Sequence, residues 1–172
     1  MTTLSHEGRP WIWPFIVFLD IFFMGTCKFF IGSPSGLGNI ATIFDIPMAN
    51  VQMSEFNLVP FGKNCLYIPK KFKFSKTGQY LNFKKGIELK LTASSRNLQE
   101  LGLELEDNNP QDILEVAKEM VARMEGTFKY SAEEEKLMHS YRELWAQSNL
   151  TGRNVPTPIG IEWLKKNKSL YF

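Results

Sequence analysis

The chain has few of the residues that bind metals, form disulfides or act as histidine bases. It has two cysteines and two histidines among 172 residues, and Cys27 and Cys65 lack the spacing of a metal motif or a disulfide framework. Its formal net charge of +2 gives no electrostatic reason to expect nucleic acid as a partner. We therefore expect no metal, no cofactor, no nucleic-acid partner and a reducing, cytoplasmic environment.

Charge is also scarce in residues 11–31, a mostly apolar run long enough to be considered as a membrane span. Pro14 interrupts its start, and a charge such as Asp20 or Lys28 is costly inside a bilayer. The residues before it are too weakly basic for a signal peptide. We expect a buried helix over 15–26 followed by a buried strand. A membrane span or signal anchor is the alternative, and a membrane-peripheral location is a further one.

The length and composition fit one globular domain. Hydrophobic residues make up 44% of the chain and charged residues 22%, which is normal for a folded domain. A chain of 172 residues is too short for two domains of ordinary size. We expect a mobile terminus over 1–14 and a single domain over 15–172.

Residues 28–51 follow the pattern strand, turn, helix, strand. Residues 28–31 and 48–51 are short apolar runs, and between them apolar residues recur at helical spacing over 36–45. Pro47 ends this helix because proline disfavours helical geometry in the residue before it. The order implies a parallel strand pair joined by a right-handed crossover.

The rest of the chain is mainly helical in its pattern. Residues 52–83 look irregular, apart from short runs typical of edge strands or loop anchors. The helix ends are marked by a cap at 107–109, a stop at Gly126 and a Ser131–Glu134 capping box. The predicted elements are an edge strand at 66–68, a weak helix at 84–91, a strand at 101–105, and helices at 110–124, 131–147 and 158–167.

Several charged side chains could have either a functional or a structural role. The basic cluster Lys70, Lys71, Lys73 and Lys76 is either a solvated face or a surface that steers an anionic ligand. For other polar side chains, helix caps, helix ends and surface positions are sufficient explanations. We expect such structural roles for Asp20, Asp45, Asp107 and His139.

The turn Gly32–Gly36, with sequence GSPSG, is the best candidate for a binding site. Ligands of open α/β sheets bind where a strand ends and a helix begins, and a helix N-terminus offers N–H groups and a positive dipole end to an anion. The turn is neither a P-loop nor the three-glycine dinucleotide fingerprint. Two readings stay open: Ser33 or Ser35 caps the helix, or the turn holds a pyrophosphate.

The order of motifs around this turn resembles a bacterial family of GT-B fold glycosyltransferases for surface polysaccharides. The similarity covers most of residues 18–170. It implies an α/β fold with a small, mostly parallel Rossmann-like sheet flanked by helices and a helical C-terminal portion, as part of a GT-B donor domain. The matching positions are Leu19, Asp20, Cys27, Phe29–Ser33, Ser35–Leu37, Pro47, Leu66–Lys70, Tyr80–Phe83 with Glu88, Asn108–Met120 and Ile159–Leu164.

The resemblance implies binding of a nucleotide-diphosphate sugar for transfer to a glycan hydroxyl. Glu88 would contact a ribose hydroxyl, but four residues separate it from Phe83, unlike the family's Phe-x-x-Glu-Ile phrase, so an exposed helical glutamate is the alternative. The resemblance identifies no catalytic base in this chain. The positions that would line the phosphate pocket are Gly32, Ser33, Ser35, Gly36 and Leu37.

The resemblance also bears on partners. The half that binds the glycan acceptor would lie upstream of Met1 or in a separate domain, and surfaces left uncovered would favour a homo-oligomer.

Two other functions remain open. One is a non-catalytic interaction module with an apolar dimer surface near residues 11–23, and the other is a small membrane-associated protein anchored by the same segment.

Overall fold

The computed structural model describes residues 12–54, 64–89, 91, 95–148 and 157–172. It shows a mixed α/β fold, as the sequence predicts. The predicted mobile terminus lies mostly outside the described residues, and the first helix already begins at Ile12. The elements in order are α1 (Ile12–Thr26), β1 (Phe30–Gly32), α2 (Gly36–Ile43), β2 (Met48–Met53), β3 (Cys65–Pro69), β4 (Lys71–Phe74), α3 (Phe83–Glu88), α4 (Ser95–Glu100), β5 (Leu103–Glu106), α5 (Pro110–Met124), α6 (Ala132–Ser148), α7 (Ile161–Lys166) and a 3₁₀ turn (Lys168–Leu170).

A parallel sheet of three strands, in the order β1-β2-β3, lies at the centre of the fold. The predicted parallel pairing of the first two strands is confirmed, and Gly32 lies beside Asn50 in the register. Asn50 in turn lies beside Tyr67 of β3. The carboxyl ends of all three strands therefore point to one edge of the sheet, which we call the carboxyl edge.

Helix α2 ends two residues before the predicted boundary, at Ile43. The Ile46 N–H donates to the Ala41 carbonyl at 2.9 Å, and the Asp45 N–H donates to the Thr42 carbonyl at 3.2 Å. These two bonds form a Schellman motif, in which the residue after the C-cap is left-handed. Asp45 occupies that position with φ 54°, so its predicted role at the helix end is confirmed.

Helices flank the parallel sheet on both faces. Helix α2 covers one face, where a side chain at Gly38 would meet Met48 Sδ at 3.8 Å. Helix α5 covers the other face and packs against β2 and β3. In this core Val116 of α5 and Ile68 of β3 both lie against Gly160. Since alternate strand residues point to opposite faces, both faces of the sheet bury apolar side chains.

Residues 52–83 contain two strands. The expected edge strand at 66–68 is confirmed as β3, the last strand in the order β1-β2-β3, although it is buried because Pro158–Gly160 bridges its outer side at Tyr67. The prediction of irregular structure was wrong for residues 71–74. β4 forms an antiparallel pair with β5. In that pair Lys73 faces Glu104, with Nζ and Oε1 3.1 Å apart, so the basic cluster is largely a paired, solvated face.

The helix ends of the C-terminal half agree with the sequence, except at the last helix. The Asp112 N–H donates to the Asn109 side chain at 2.9 Å, and the Ser131 N–H donates to Glu134 Oε2 at 2.9 Å. Gly126 follows α5 with φ 70°. The last helix begins at Ile161 instead of residue 158, because the preceding residues pair with β3.

Helix α1 is confirmed, but its predicted burial was wrong. Met24 is buried against α2, whereas Phe15, Phe18 and Phe23 are each about 60% exposed. The reason is that α1 packs chiefly on α2 and exposes its opposite side. Among the helices that the structure describes, none combines the length and apolar character needed to cross a bilayer.

Candidate functional site

The predicted turn lies at the carboxyl edge of the parallel sheet. Gly32 is the last residue of β1, and Gly36 is the first residue of α2. Ser33, Ser35 and Leu37 are exposed. The five residues predicted to line a phosphate pocket thus form one accessible segment, from the end of a strand to the first turn of a helix.

The N-terminus of α2 is open to a ligand. Ser35 occupies the N-cap position with extended backbone, but its side chain makes no capping hydrogen bond. The Asn39 N–H donates to the Ser35 carbonyl at 3.4 Å, while the first N–H groups of a helix have no partner within it. The cap reading therefore fails for the Ser35 hydroxyl, and the helix end keeps N–H groups available for an anion.

The two glycines at the ends of the turn have different surroundings. A side chain at Gly32 would place its Cβ 2.6 Å from Cζ of Phe30, so the aromatic ring already covers this glycine. A side chain at Gly36 would meet nothing within 4 Å. Packing thus explains Gly32, whereas at Gly36 the missing side chain leaves open space in front of the helix N-terminus.

Asn50 is a polar side chain at this edge that sequence reasoning missed. It is 5% exposed and lies beside Gly32 in the central strand. Among the described residues, its Nδ2 atom has no hydrogen-bond partner. Since a buried donor without an acceptor is costly, Asn50 is a candidate for contact with a ligand or an ordered water. The signal was present in the sequence as an asparagine inside an otherwise apolar strand.

Reciprocal hydrogen bonds hold the carboxyl ends of β2 and β3. The Gln52 N–H donates to Asn108 Oδ1 at 2.7 Å, and the Asn108 N–H donates to Gln52 Oε1 at 2.9 Å. Asn108 Nδ2 also donates to the Pro69 carbonyl at 2.8 Å. Gln52 has a left-handed φ of 57° where the register shifts, and such bulges recur next to binding sites. We call this arrangement the Asn108 clamp.

Glu88 lies on a different element from the turn. It is the last residue of α3, and its carboxylate pairs with Lys85 Nζ at 3.0 Å, with both side chains more than half exposed. Helix α3 is anchored through Phe83, whose ring packs against Trp145 with centroids 5.1 Å apart. The described contacts of Glu88 are those of a surface residue, and its ribose role stays a prediction.

A groove of about 590 Å³ lies at the opposite edge of the sheet, near the amino ends of β2 and β3. It contains none of the predicted site residues. Burial raises the pKa of the Cys65 thiol to about 11, so this cysteine is not a thiolate nucleophile at neutral pH. The lining residues are Pro47, Asn64, Cys65, Leu66, Met120, Arg123, Met124, Phe128 and Pro158.

The other charged residues considered in the sequence have surface or helix-end positions. Asp107 pairs with Lys70 at 2.7 Å between Oδ1 and Nζ. His139 lies 3.3 Å from Glu143 on the exposed side of α6. Asp20 is exposed on α1. None of these contacts arranges a nucleophile with a base, and we assign no catalytic base among the described residues.

Comparison of the chain with protein-family models, with curated proteins and with solved structures finds no match in any of the three. The class that the structure itself defines is a mixed α/β protein with a small parallel sheet flanked by helices.

Proposed function

We propose that the chain binds the diphosphate of a nucleotide-diphosphate sugar at the carboxyl edge of its sheet. In this proposal the fold is Rossmann-like and acts as the donor-binding part of a GT-B type glycosyltransferase. The observation that carries the proposal is the uncapped N-terminus of α2 with open space in front of Gly36. The resemblance of the order of motifs to that of surface-polysaccharide glycosyltransferases supports the choice of a nucleotide sugar over other anions.

The chemistry of such a site is electrostatic. The N–H groups of Gly36, Leu37 and Gly38 and the positive end of the helix dipole would face the phosphate oxygens, and the Ser33 and Ser35 hydroxyls would add donors. The same donors would stabilise the charge that develops on a departing diphosphate. The sugar acceptor and the base that activates it would come from another domain or partner.

Asn50 supports the same location independently of the helix. Its amide lies beside Gly32, on the sheet face that α2 covers. A ligand atom or a ligand-bound water that accepts from Nδ2 would remove the cost of the unpaired donor. Glu88 stays in the proposal as a ribose contact that only the family resemblance suggests.

A thermal-shift titration with UDP, GDP, ADP and CMP tests the proposal. A ligand bound only by the folded protein at about ten times its dissociation constant stabilises it by about 1.4 kcal/mol. For a domain of this size that corresponds to a rise in Tm of about 3–6 °C. Absence of a response to all four nucleotides would contradict the proposal.

Two glycines of α2 provide a matched pair of variants. Gly36→Leu fills the open space in front of the helix and should abolish the response, while the folded chain stays as stable as the parent or more so, since leucine favours helix over glycine. Gly38→Ala introduces only ordinary contacts with Met48 and Phe30, at 3.8 and 3.9 Å, and should keep the response. A response that persists unchanged in Gly36→Leu would refute a role for the helix N-terminus.

A further inference from the structure

The groove at the amino ends of β2 and β3 has the size and the side chains of a small-molecule site. Its volume of about 590 Å³ lies within the range of about 300–1,000 Å³ that such sites have. Cys65 and Leu66 of the sheet and Met120 of α5 are buried beside it. Among the described lining residues, Arg123 and Asn64 carry the polar side chains. Apolar side chains with a few polar groups are typical of a site that orients one small ligand.

Arg123 is held in place before any ligand arrives. Its Nε and Nη2 atoms donate to Glu119 Oε1 at 3.0 and 2.7 Å, and Nη2 also donates to the Tyr130 hydroxyl. The guanidinium carbon lies 4.1 Å from the centre of the Phe128 ring and 5.1 Å from that of the Tyr130 ring. A side chain fixed in this way loses little freedom on binding, so the groove presents a preorganised cation.

Two of the five hydrogen-bond donors of this guanidinium are left for a ligand. Glu119 and Tyr130 take the Nε hydrogen and the two Nη2 hydrogens. Among the described residues, none accepts a hydrogen bond from Nη1 of Arg123, whose side chain is 27% exposed. Carboxylates and phosphates are the groups that arginine donors fit. The free Nη1 edge therefore points to an anionic ligand group.

The charges around Arg123 suit a ligand with one negative charge. Glu119 is 7% exposed, and its second oxygen accepts from the Ile161 N–H at 2.7 Å, so both of its oxygens have donors. Tyr130, which contacts Arg123, feels the positive charges of Arg123 and Arg142 and the negative charge of Glu119. Two positive charges and one negative charge leave an excess of one positive charge. A monocarboxylate matches this excess, whereas a phosphate group with nearly two negative charges would exceed it.

The methionines of the groove favour an aromatic ring as the body of the ligand. Met120 and Met124 are four residues apart on α5, so they share one side of that helix. Both line the groove together with Phe128. Methionine sulfur makes favourable contacts with aromatic rings, and two aromatic rings side by side gain more than their buried area alone. An aromatic ring therefore gains contacts here that a saturated chain does not.

From the volume, the fixed arginine and the two methionines we propose that this groove binds an aromatic monocarboxylate. Its carboxylate accepts from Nη1 of Arg123, and its ring lies against Met120 and Met124. The inference does not depend on nucleotide binding, because the groove and the turn at Gly32–Gly36 lie at opposite edges of the parallel sheet. A failure of one proposal therefore leaves the other standing.

A nitrogen-15 NMR titration of the full chain with naphthoate tests this inference. The amide signals of Cys65, Leu66 and Met124 should shift, while those of residues 36–38 should not. Naphthamide has the same rings without the charge and should bind about tenfold more weakly or worse, the effect of losing a charged hydrogen bond. Decanoate, a carboxylate with a saturated chain, should also bind more weakly than naphthoate. No shifts in the groove, or an affinity for naphthamide or decanoate equal to that for naphthoate, would overturn the proposal.

Two variants of α5 form a matched pair. Replacing Arg123 would leave the buried Glu119 without its partner, so we place the change at the exposed rim instead. Met124→Glu puts a negative charge at the groove and should weaken naphthoate binding about tenfold or more. Val121→Glu makes the same change outside the lining residues, at 39% exposure against 41% for Met124, and should keep the affinity. Circular dichroism checks that both variants fold, and unchanged binding in Met124→Glu, or equal weakening in both, would overturn the placement of the ligand.

Discussion

The sharpest stability prediction concerns Asn108, whose side chain holds the carboxyl ends of two strands. Asn108→Ala removes the acceptor of the Gln52 N–H and the donor to the Pro69 carbonyl, at 2.7 and 2.8 Å in the parent. Asn108 is 5% exposed, so water does not readily replace the amide. Both backbone groups should then be left without a partner.

The magnitude follows from those two groups. Leaving a buried donor or acceptor unsatisfied costs about 1–3 kcal/mol, so with two such groups Asn108→Ala should lower the free energy of unfolding by about 2–6 kcal/mol. That is a large share of the roughly 5–15 kcal/mol by which a domain is stable. Because the clamp joins β2 to β3, the loss should also loosen the edge at which we place the ligand.

Asn109→Ala is the matched control, because it makes the same chemical change at the next residue. Asn109 is exposed, and its side chain accepts one hydrogen bond, from the Asp112 N–H. Loss of such a helix cap costs about 1 kcal/mol. Urea unfolding of both variants measures the difference, and a cost for Asn108→Ala no larger than that for Asn109→Ala would refute the reasoning.

Three further predictions follow from the contacts described. Gly32→Ala should cost about 1–3 kcal/mol of stability in thermal unfolding, because its Cβ would overlap the Phe30 ring. Asp45→Gly should stabilise by about 1 kcal/mol, since glycine carries no penalty in the left-handed conformation. The hydrogen bond from Lys71 lowers the pKa of the Glu106 carboxyl. The stabilisation from this hydrogen bond is therefore fully present above the pKa that Glu106 has in the unfolded chain. It is lost as pH falls through the lower pKa of Glu106 in the folded chain. In Lys71→Met the free energy of unfolding, measured by urea titration, should fall less between about pH 5 and 3 than it does in the parent. At neutral pH the variant should be less stable than the parent by less than about 1 kcal/mol.

The elements that could be predicted from the sequence are those with local signals. The cap within 107–109, the Ser131 capping box and the stop at Gly126 marked helix ends that the structure reproduces. Likewise, the apolar spacing within residues 36–45 marked α2, although it could not show the Schellman end that stops the helix at Ile43. Local hydrogen bonds decide these features, so short stretches of sequence contain the information.

The pairing of β4 with β5 depends on residues about thirty positions apart, which a local pattern does not reveal. The alternation Lys71-Phe72-Lys73-Phe74 did contain a strand signal, with lysines opposite glutamates and phenylalanines in a small core. The lysines also mark the segment as a basic cluster, and charge by itself does not reveal the strand. The alternation of charged and apolar residues is the feature that indicates the strand.

At the candidate site, the sequence predicted the turn but not the residues that surround it. Ser35 could be placed at a helix start from spacing, yet only the structure shows that its hydroxyl makes no cap. Asn50 and the Asn108 clamp depend on strand register and on contacts across 56 positions of the chain. Tertiary contacts of that kind set which polar groups are left unpaired.

The most direct test of the central claim is a nitrogen-15 NMR titration of the full chain with UDP, followed by GDP, ADP and CMP. We expect the largest amide shifts at Gly36, Leu37 and Gly38, because their N–H groups would receive the phosphate oxygens. No shifts with any nucleotide, or shifts confined to the groove around Asn64 and Arg123, would contradict a ligand site at the carboxyl edge.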